Sequence, residues 1–197
     1  MQELPKHLGG GERRCHHDQG ALKWAIEKFN VKSMLDIGCG QGCVSIDGQK
    51  LGLEVLGVDG DPGNLHGQYN FTRPDDYPFL LHDYTEGPAP IDKEYDLVWS
   101  VEFLEHVEPE YIPNFMDSFK KGKVLIVTFA RPHAKTVNGR SLSNHHHVNE
   151  QELEYWLEKF DEYGFDYQAD LSEELKKAST MMKNFVRNTG MVLFRRD

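Results

Sequence analysis

The sequence predicts an α/β protein, a doubly wound and mostly parallel sheet with helices on both faces. Two observations predict it. Short apolar runs alternate with amphipathic stretches from residue 20 to residue 195, the pattern of a sheet sandwiched between helix layers. The first three of those runs also end on a carboxylate, Asp36, Asp59 and Asp83, and sheets of this kind bind ligands along the carboxyl edge of their strands. A chain of 197 residues has the size of one domain able to bury a substantial core.

In chain order, GALKWAIEKF (20–29) spaces Leu22, Ile26 and Phe29 at helical intervals, with Trp24 and Ala25 beside them. KSMLDIG is a first strand, and the segment after Gly42 is a helix reaching about Leu51. LEVLGVD (53–59), YPFLLHD (77–83), EYDLVWSVEF (94–103) and GKVLIVTFA (122–130) follow as the second to fifth strands. Between the last two, EPEYIPNFMDSFKK reads as a helix. Pro109 suits a first-turn position, but Pro113 would remove a hydrogen bond from a helix begun that early. Either the helix starts near Pro113 or its first turn is irregular. NEQELEYWLEKFDEYGF (149–165) is a strongly amphipathic helix, with Asn149 as its N-cap and Gly164 as its stop. The remainder gives a helical region, a break at Gly190 and a final strand over 191–195.

Between the first strand and its helix, glycines occupy alternate positions, Gly38, Gly40 and Gly42. Glycine permits positive φ and lets the backbone approach a ligand closely. A phosphate-cradling P-loop needs Lys and Ser or Thr after its last glycine, and here Cys43 and Val44 follow. The dinucleotide fingerprint needs G-x-G-x-x-G, and the spacing here is G-x-G-x-G. Asp59 lies nineteen residues beyond Gly40 at the end of the next strand, where a carboxylate accepts the hydroxyls of a ribose. The combination points to an adenosine carrying something other than a pyrophosphate.

In these residues the sequence resembles the class I S-adenosylmethionine-dependent methyltransferases, in their small-molecule branch. LDIGCGQG is similar to the first motif of that superfamily, VLGVDGD to the second, LHDYTEG to the third and YDLVWSVEFLEHVEPE to the fourth. HHHVNEQELEYWLEKFDEYGF is similar to a segment of small bacterial and phage members, and the resemblance runs from about Gly20 to Arg196. It implies a Rossmann-like sheet of about seven mostly parallel strands with an antiparallel last strand. It implies S-adenosyl-L-methionine as cofactor, with the backbone around Asp36, Gly38, Cys39 and Gly40 cradling the methionine part. Asp59, followed by Gly60, would hold the ribose. Asp83 and the backbone at Tyr84 would read the adenine, and Ser100, Val101 and Glu102 would close the floor beneath the sulfonium. Residues 1–19 are implied to be a lid or flexible segment, and residues 20–197 a single methyltransferase domain. Two details depart from the common pattern. Gly60 stands where many relatives carry a side chain, and the Gly- and Pro-rich GNLHGQYNFTRPDDYP predicts that the usual second helix is short or broken.

Methyl transfer from a sulfonium is an in-line displacement, and holding the reactants in line contributes roughly 7–11 kcal/mol in favourable cases. A hydroxyl acceptor must also lose its proton; a positioned base contributes about 10²–10⁴ in rate, and histidine suits that work near neutral pH. The chain has ten histidines. His106 follows the fourth strand beside the expected methyl position, with Glu102 four residues earlier on what reads as the same helical face. A structural place on the cofactor floor competes with the basic one. His145, His146 and His147 follow the fifth strand, where this fold builds its acceptor pocket. In an extended segment 145 and 147 face one way and 146 the other, so they cannot all serve one site; a pocket role is favoured for at least one, and His145 and His146 join His106 as catalytic candidates. His16 and His17 belong either to the lid or to a mobile terminus. Tyr155 and Trp156 either stack on the acceptor or pack in the core. No spaced set of metal ligands is visible, so no metal is expected.

Composition narrows the partners. Net charge is −10, from 22 basic against 32 acidic residues, and such a surface repels phosphate backbones. No Asn-Pro-Pro-Tyr follows the fourth strand and no Pro-Cys dipeptide occurs, so polymeric DNA or RNA is disfavoured. The start lacks a hydrophobic signal core, and no apolar segment approaches the ~20 residues of a membrane helix. Cys15, Cys39 and Cys43 are odd in number and read as reduced thiols, which favours a cytoplasmic setting without a membrane partner. The expectation is an enzyme that methylates a small-molecule acceptor, at a hydroxyl oxygen of a sugar or other small metabolite. N-methylation of a small amine or protein side chain is an alternative, as is a non-catalytic S-adenosylmethionine-binding partner subunit.

Overall fold

Met34 and Leu35 are neighbours in one strand, face opposite sides of the sheet, and are both fully buried. The run is apolar throughout because helices cover each face. The computed structural model describes residues 8, 15–65, 76–132, 136–137, 140–141 and 146–197. Its main strands are β1 (Ser33–Ile37), β2 (Glu54–Asp59), β3 (Phe79–Leu81), β4 (Tyr95–Ser100), β5 (Gly122–Val127), β6 (Phe165–Tyr167) and β7 (Met191–Arg195). They form one seven-stranded sheet in the order β3-β2-β1-β4-β5-β7-β6. The first five pair in parallel, and β7 runs antiparallel to both β5 and β6. The expected seven strands and antiparallel end are both present. A separate ladder pairs Thr136–Val137 with Arg140–Ser141.

The helices are α1 (Gln19–Phe29), α2 (Cys43–Lys50), α3 (Pro62–Leu65), α4 (Ile112–Phe119), α5 (Leu153–Glu162), α6 (Ala169–Ala178) and α7 (Phe185–Thr189). On one face, Met34, Leu97, Ile126 and Val192 pack against Ala21, Leu22 and Ala25 of α1, Val44 of α2, Leu175 of α6 and Val186 of α7. On the other, Leu35, Val98, Leu125 and Leu193 meet Phe115 and Phe119 of α4 and Trp156 and Phe160 of α5. Asp18 joins α1 to the chain's far end. Its buried carboxylate accepts from Ala21 N at 3.2 Å, Thr180 N at 2.9 Å and Ser179 Oγ at 2.6 Å. Among the described residues no helix is long and apolar enough to cross a membrane.

Several elements differ from the sequence reading. β3 stops at Leu81, so Asp83 lies beyond the strand and instead caps a 3₁₀ turn, Tyr84–Glu86. Both readings of the proline-containing helix hold in part: a 3₁₀ turn over Pro109–Tyr111 leads into α4, where Pro113 sits in the first turn and needs no donor. Asn149 is not a cap, because α5 begins at Leu153; its buried amide donates to Val107 O at 3.1 Å. β6 was not expected. Finally, Cys15 and Cys43 are joined in a disulfide, with Cα atoms 5.6 Å apart. This corrects the reading of three reduced thiols: an odd count leaves Cys39 over, and the fold brings the other two together.

Candidate active site

The spatial order of the strands reverses between β1 and β4, and a crevice opens outside their carboxyl ends at such a point. The glycine loop forms one wall. Gly38, Gly40 and Gly42 all take left-handed φ, +70°, +53° and +78°. The amides of Gly38 and Cys39 both donate to Val58 O, at 2.9 and 3.1 Å, which folds the turn back over β2. A Cβ at Gly38 would lie 2.7 Å from Phe103, and one at Gly42 would lie 2.8 Å from Tyr77, whereas one at Gly40 would meet nothing within 4 Å. The outer two glycines therefore allow close packing, and the middle one leaves space for a ligand. Gly40 N donates to Asp59 Oδ2 at 2.8 Å. Asp59 Oδ1 accepts from Asp61 N at 2.8 Å and Asn64 Nδ2 at 3.0 Å. A carboxylate has about four acceptor positions, so capacity for a ligand hydroxyl remains. Burial pushes the Asp59 carboxyl above its ordinary range, against the effect of those donors.

Across the crevice, Asp83 Oδ1 accepts from Thr85 N at 2.9 Å and Thr85 Oγ1 at 2.8 Å. Tyr84 is an anchor of the wall: its hydroxyl donates to Ser118 Oγ at 3.0 Å, its carbonyl accepts from Asn114, and its ring meets Phe103 edge-on. Gly60 has a local reason to be glycine, since a Cβ there would collide with Leu8, which itself lines the crevice. The described part of the helix after Asp59 is α3, Pro62–Leu65, and residues 66–75 of the stretch expected to shorten or break it lie outside the described residues.

Glu102 begins the far end. Its φ of +58° is unusual for a residue with a side chain and costs about 1–3 kcal/mol. Thr128 holds it there, its Oγ1 accepting from Glu102 N at 2.8 Å and donating to Glu102 Oε1 at 3.3 Å. The expected helical face shared with His106 does not form, because Leu104–His106 is a 3₁₀ turn; both side chains nonetheless line the crevice. His106 Nδ1 lies 3.0 Å from His146 O. A carbonyl only accepts, so Nδ1 carries the proton and Nε2 the lone pair. The ring stands edge-on to His147, centroids 4.9 Å apart, and His147 Nδ1 lies 2.8 Å from Glu150 Oε1. Two hydrogen bonds bring these histidines together. Val148 N and Asn149 N both donate to the Glu105 carbonyl, at 2.8 and 3.0 Å.

The Glu105 side chain is fully buried; among the described residues no N–H or hydroxyl donor reaches either carboxylate oxygen, and its carboxyl lies against that of Glu102. Burial and the adjacent charge of Glu102 push its carboxyl well above the usual range. Burial and then His147 push His106 down to about 4. Its imidazole is neutral at physiological pH and a weak proton acceptor, far from the matched pKa that general-base catalysis favours. The ligand-capable atoms of Glu105, His106 and His147 all lie within 4.8 Å of one another.

Of the residues expected at the site, Gly38, Gly40, Asp59, Gly60, Asp83, Tyr84, Glu102 and His106 line this one crevice. Asp36 lies behind it, on the α2 side of the sheet. Ser45 Oγ donates to its carboxyl at 2.5 Å, and burial pushes the group up to about 7. Cys39 is half-buried with Sγ 3.7 Å from Gly40 O. Ser100 is fully buried at the end of β4, and Val101 is partly buried against the core on the sheet face that α1, α2, α6 and α7 cover. Of the three residues expected to close the floor, Glu102 lines the crevice, together with Phe103. His146 contributes its carbonyl, and His145 lies outside the described residues. His147, which was not chosen as a catalytic candidate, is the histidine set against His106; its His-x-x-Glu spacing to Glu150 was the available signal. Trp156 is core and Tyr155 packs beside it. His17 bonds Asp47 at 2.7 Å and His16 meets Phe185, both away from the crevice.

The space over Gly40 is flanked by the Asp59 and Asp83 carboxylates, which can accept from ligand hydroxyl and amine groups. Similarity to known proteins agrees. The methyltransferase-domain family matches residues 12–170. The chain is 31% identical over 112 residues to the mitochondrial ubiquinone biosynthesis O-methyltransferase of Schizosaccharomyces pombe, covering 52% of this chain and 40% of that protein. It is 34% identical over 100 residues to the ubiquinone biosynthesis O-methyltransferase of Ruegeria pomeroyi, covering 47% and 39%. These matches span about two fifths of the length of those curated relatives. The fold is similar to that of magnesium protoporphyrin IX methyltransferase from Synechocystis, solved with bound S-adenosylhomocysteine, with a TM-score of 0.60, 17% identity, and coverage of 89% of this chain and 80% of that one. The family match covers most of the chain, and the glycine loop, strand-end acids and strand order agree with it: the chain belongs to the methyltransferase-domain family and has the fold of its S-adenosylmethionine-dependent members.

Proposed function

We propose that this chain uses S-adenosylmethionine to methylate a hydroxyl oxygen of a small molecule. The observation that carries the reading is that Asp59, Asp83, Glu102 and His106 line one and the same crevice. The cofactor supplies an electrophilic methyl group on a sulfonium. The chain's own residues divide the remaining work. The open side of Gly40 admits the ligand against the backbone, Asp59 accepts from a ribose hydroxyl while holding the glycine turn, and Asp83 faces the adenine amine. Glu102, fixed by Thr128, sets the boundary beyond which an acceptor is held in line. Two points support oxygen as the acceptor atom. The relatives matched over about half of this chain are named O-methyltransferases. The crevice also holds the Glu102 carboxylate, and a hydroxyl acceptor has to lose its proton.

The test is incubation with methyl-labelled cofactor and a panel of phenols, catechols, sugars and primary amines. Label recovered on an oxygen is the expected result. Label confined to nitrogen overturns the choice of atom, and tight cofactor binding without transfer to any acceptor favours the non-catalytic subunit.

A further inference from the structure

Glu105 is fully buried, no N–H or hydroxyl donor among the described residues reaches its carboxylate oxygens, its carboxyl lies against that of Glu102, and the charges bearing most on it, Glu102 and Glu150, are also negative. A buried carboxylate so placed calls for a positive charge. Beside it stand two imidazoles with Nδ1 committed to a carbonyl and a carboxylate. That outer bonding fixes the tautomer which presents Nε2 to a metal. We propose that Glu105, His106 and His147, with Glu102 as a fourth ligand, form a divalent-cation site at the acceptor end of the crevice.

The geometry and the chemistry agree. Bonds of about 2.1 Å put opposite ligands about 4.2 Å apart, so a set already within 4.8 Å closes with small side-chain rotations. Mixed carboxylate and imidazole donors suit Mn²⁺, Fe²⁺, Co²⁺ or Zn²⁺ rather than a thiolate-seeking ion. In a six-coordinate ion, four protein ligands leave two positions for oxygens. The acceptor class is therefore one with neighbouring oxygens, such as a vicinal diol or catechol. This deepens the methyltransferase reading and rests on it for its purpose. A hydroxyl bound to the ion loses its proton to solvent near neutral pH; the O–CH₃ bond then forms as the S–CH₃ bond breaks, and no further reactant is needed.

The test uses the whole chain, stripped with a chelator and titrated with Mn²⁺ alone while the free ion is followed by paramagnetic resonance. Saturation by a single ion is expected, with Glu105→Gln and His147→Ala each weakening it by roughly tenfold or more. S-adenosylhomocysteine affinity, measured in parallel by calorimetry, is expected to be unchanged in both variants. That result shows that they fold and separates this site from the cofactor reading; His147→Gln replaces His147→Ala if the latter does not fold. No saturable Mn²⁺ binding by the parent chain, or equal binding by the variants, overturns the proposal. So does loss of binding in Asp47→Asn alone, which would place the ion beside His17 and Asp47 instead.

Discussion

Gly40 and Asp59, nineteen residues apart, are joined by a 2.8 Å hydrogen bond from the glycine amide to Oδ2. The carboxylate expected to bind a ribose is thus also the clamp that shapes the turn beneath it. Its remaining donors, Asp61 N and Asn64 Nδ2, are on Oδ1. Loop geometry and ligand recognition share one side chain, so disturbance of either should be felt by the other.

Gly38 tests the wall of the crevice. Alanine there would take a left-handed φ, costing about 1–2 kcal/mol, with its Cβ 2.7 Å from Phe103. Gly52 also has positive φ, +87°, but open space around it. Gly38→Ala is expected to lower the thermal midpoint by more than Gly52→Ala, at roughly 2–4 °C per kcal/mol, and to weaken S-adenosylhomocysteine binding, while Gly52→Ala binds as the parent does. Equal behaviour of the two variants, by scanning calorimetry and ligand titration, would show that the Phe103 contact is unimportant.

Asp36 makes stability depend on pH. Burial raises its folded pKa from 3.8 to about 7. The folded state therefore favours the protonated acid; the stabilisation is complete below about pH 4 and is lost as pH rises through 7. Asp36→Asn, neutral at every pH and still able to accept from Ser45, should be more stable than the parent at pH 8 by at most about 4 kcal/mol. The advantage should shrink towards pH 5. Urea unfolding at the two pH values checks it, and an equal difference at both would refute the assignment.

The Cys15–Cys43 bridge spans a sequence separation of 28, and a loop of that size adds about 3–4 kcal/mol by restricting the unfolded chain. Reduction is expected to lower the thermal midpoint on the order of 10 °C. Thiol titration of the denatured, unreduced chain should find one reactive group, Cys39; three would contradict the bridge.

Much of this fold was legible because a strand covered on both faces reads as an unbroken apolar run. β1, β2, β4, β5 and β7 fall where those runs lie. β6 escaped because three residues carry no readable period, and its pairing with β7 joins Phe165 to Arg195. The strand-end rule located Asp59, and Asp83 two residues past β3, but not the direction of every side chain: the pleat turns Asp36 towards α2, and Ser100 is buried in the sheet. The His106 and His147 contact was illegible for a different reason. It depends on the Glu105 carbonyl capturing two amides more than forty residues away, which no local spacing encodes. The disulfide was missed because an odd count was read as no pairing.

Calorimetric titration of S-adenosylhomocysteine into the parent chain and Asp59→Ala is the most direct measurement of whether the carboxyl-edge crevice is the cofactor site. Saturable binding by the parent and an affinity at least tenfold lower in the folded variant, about 1.4 kcal/mol, is the predicted result. Undiminished affinity in Asp59→Ala, or no binding by the parent, would contradict the assignment.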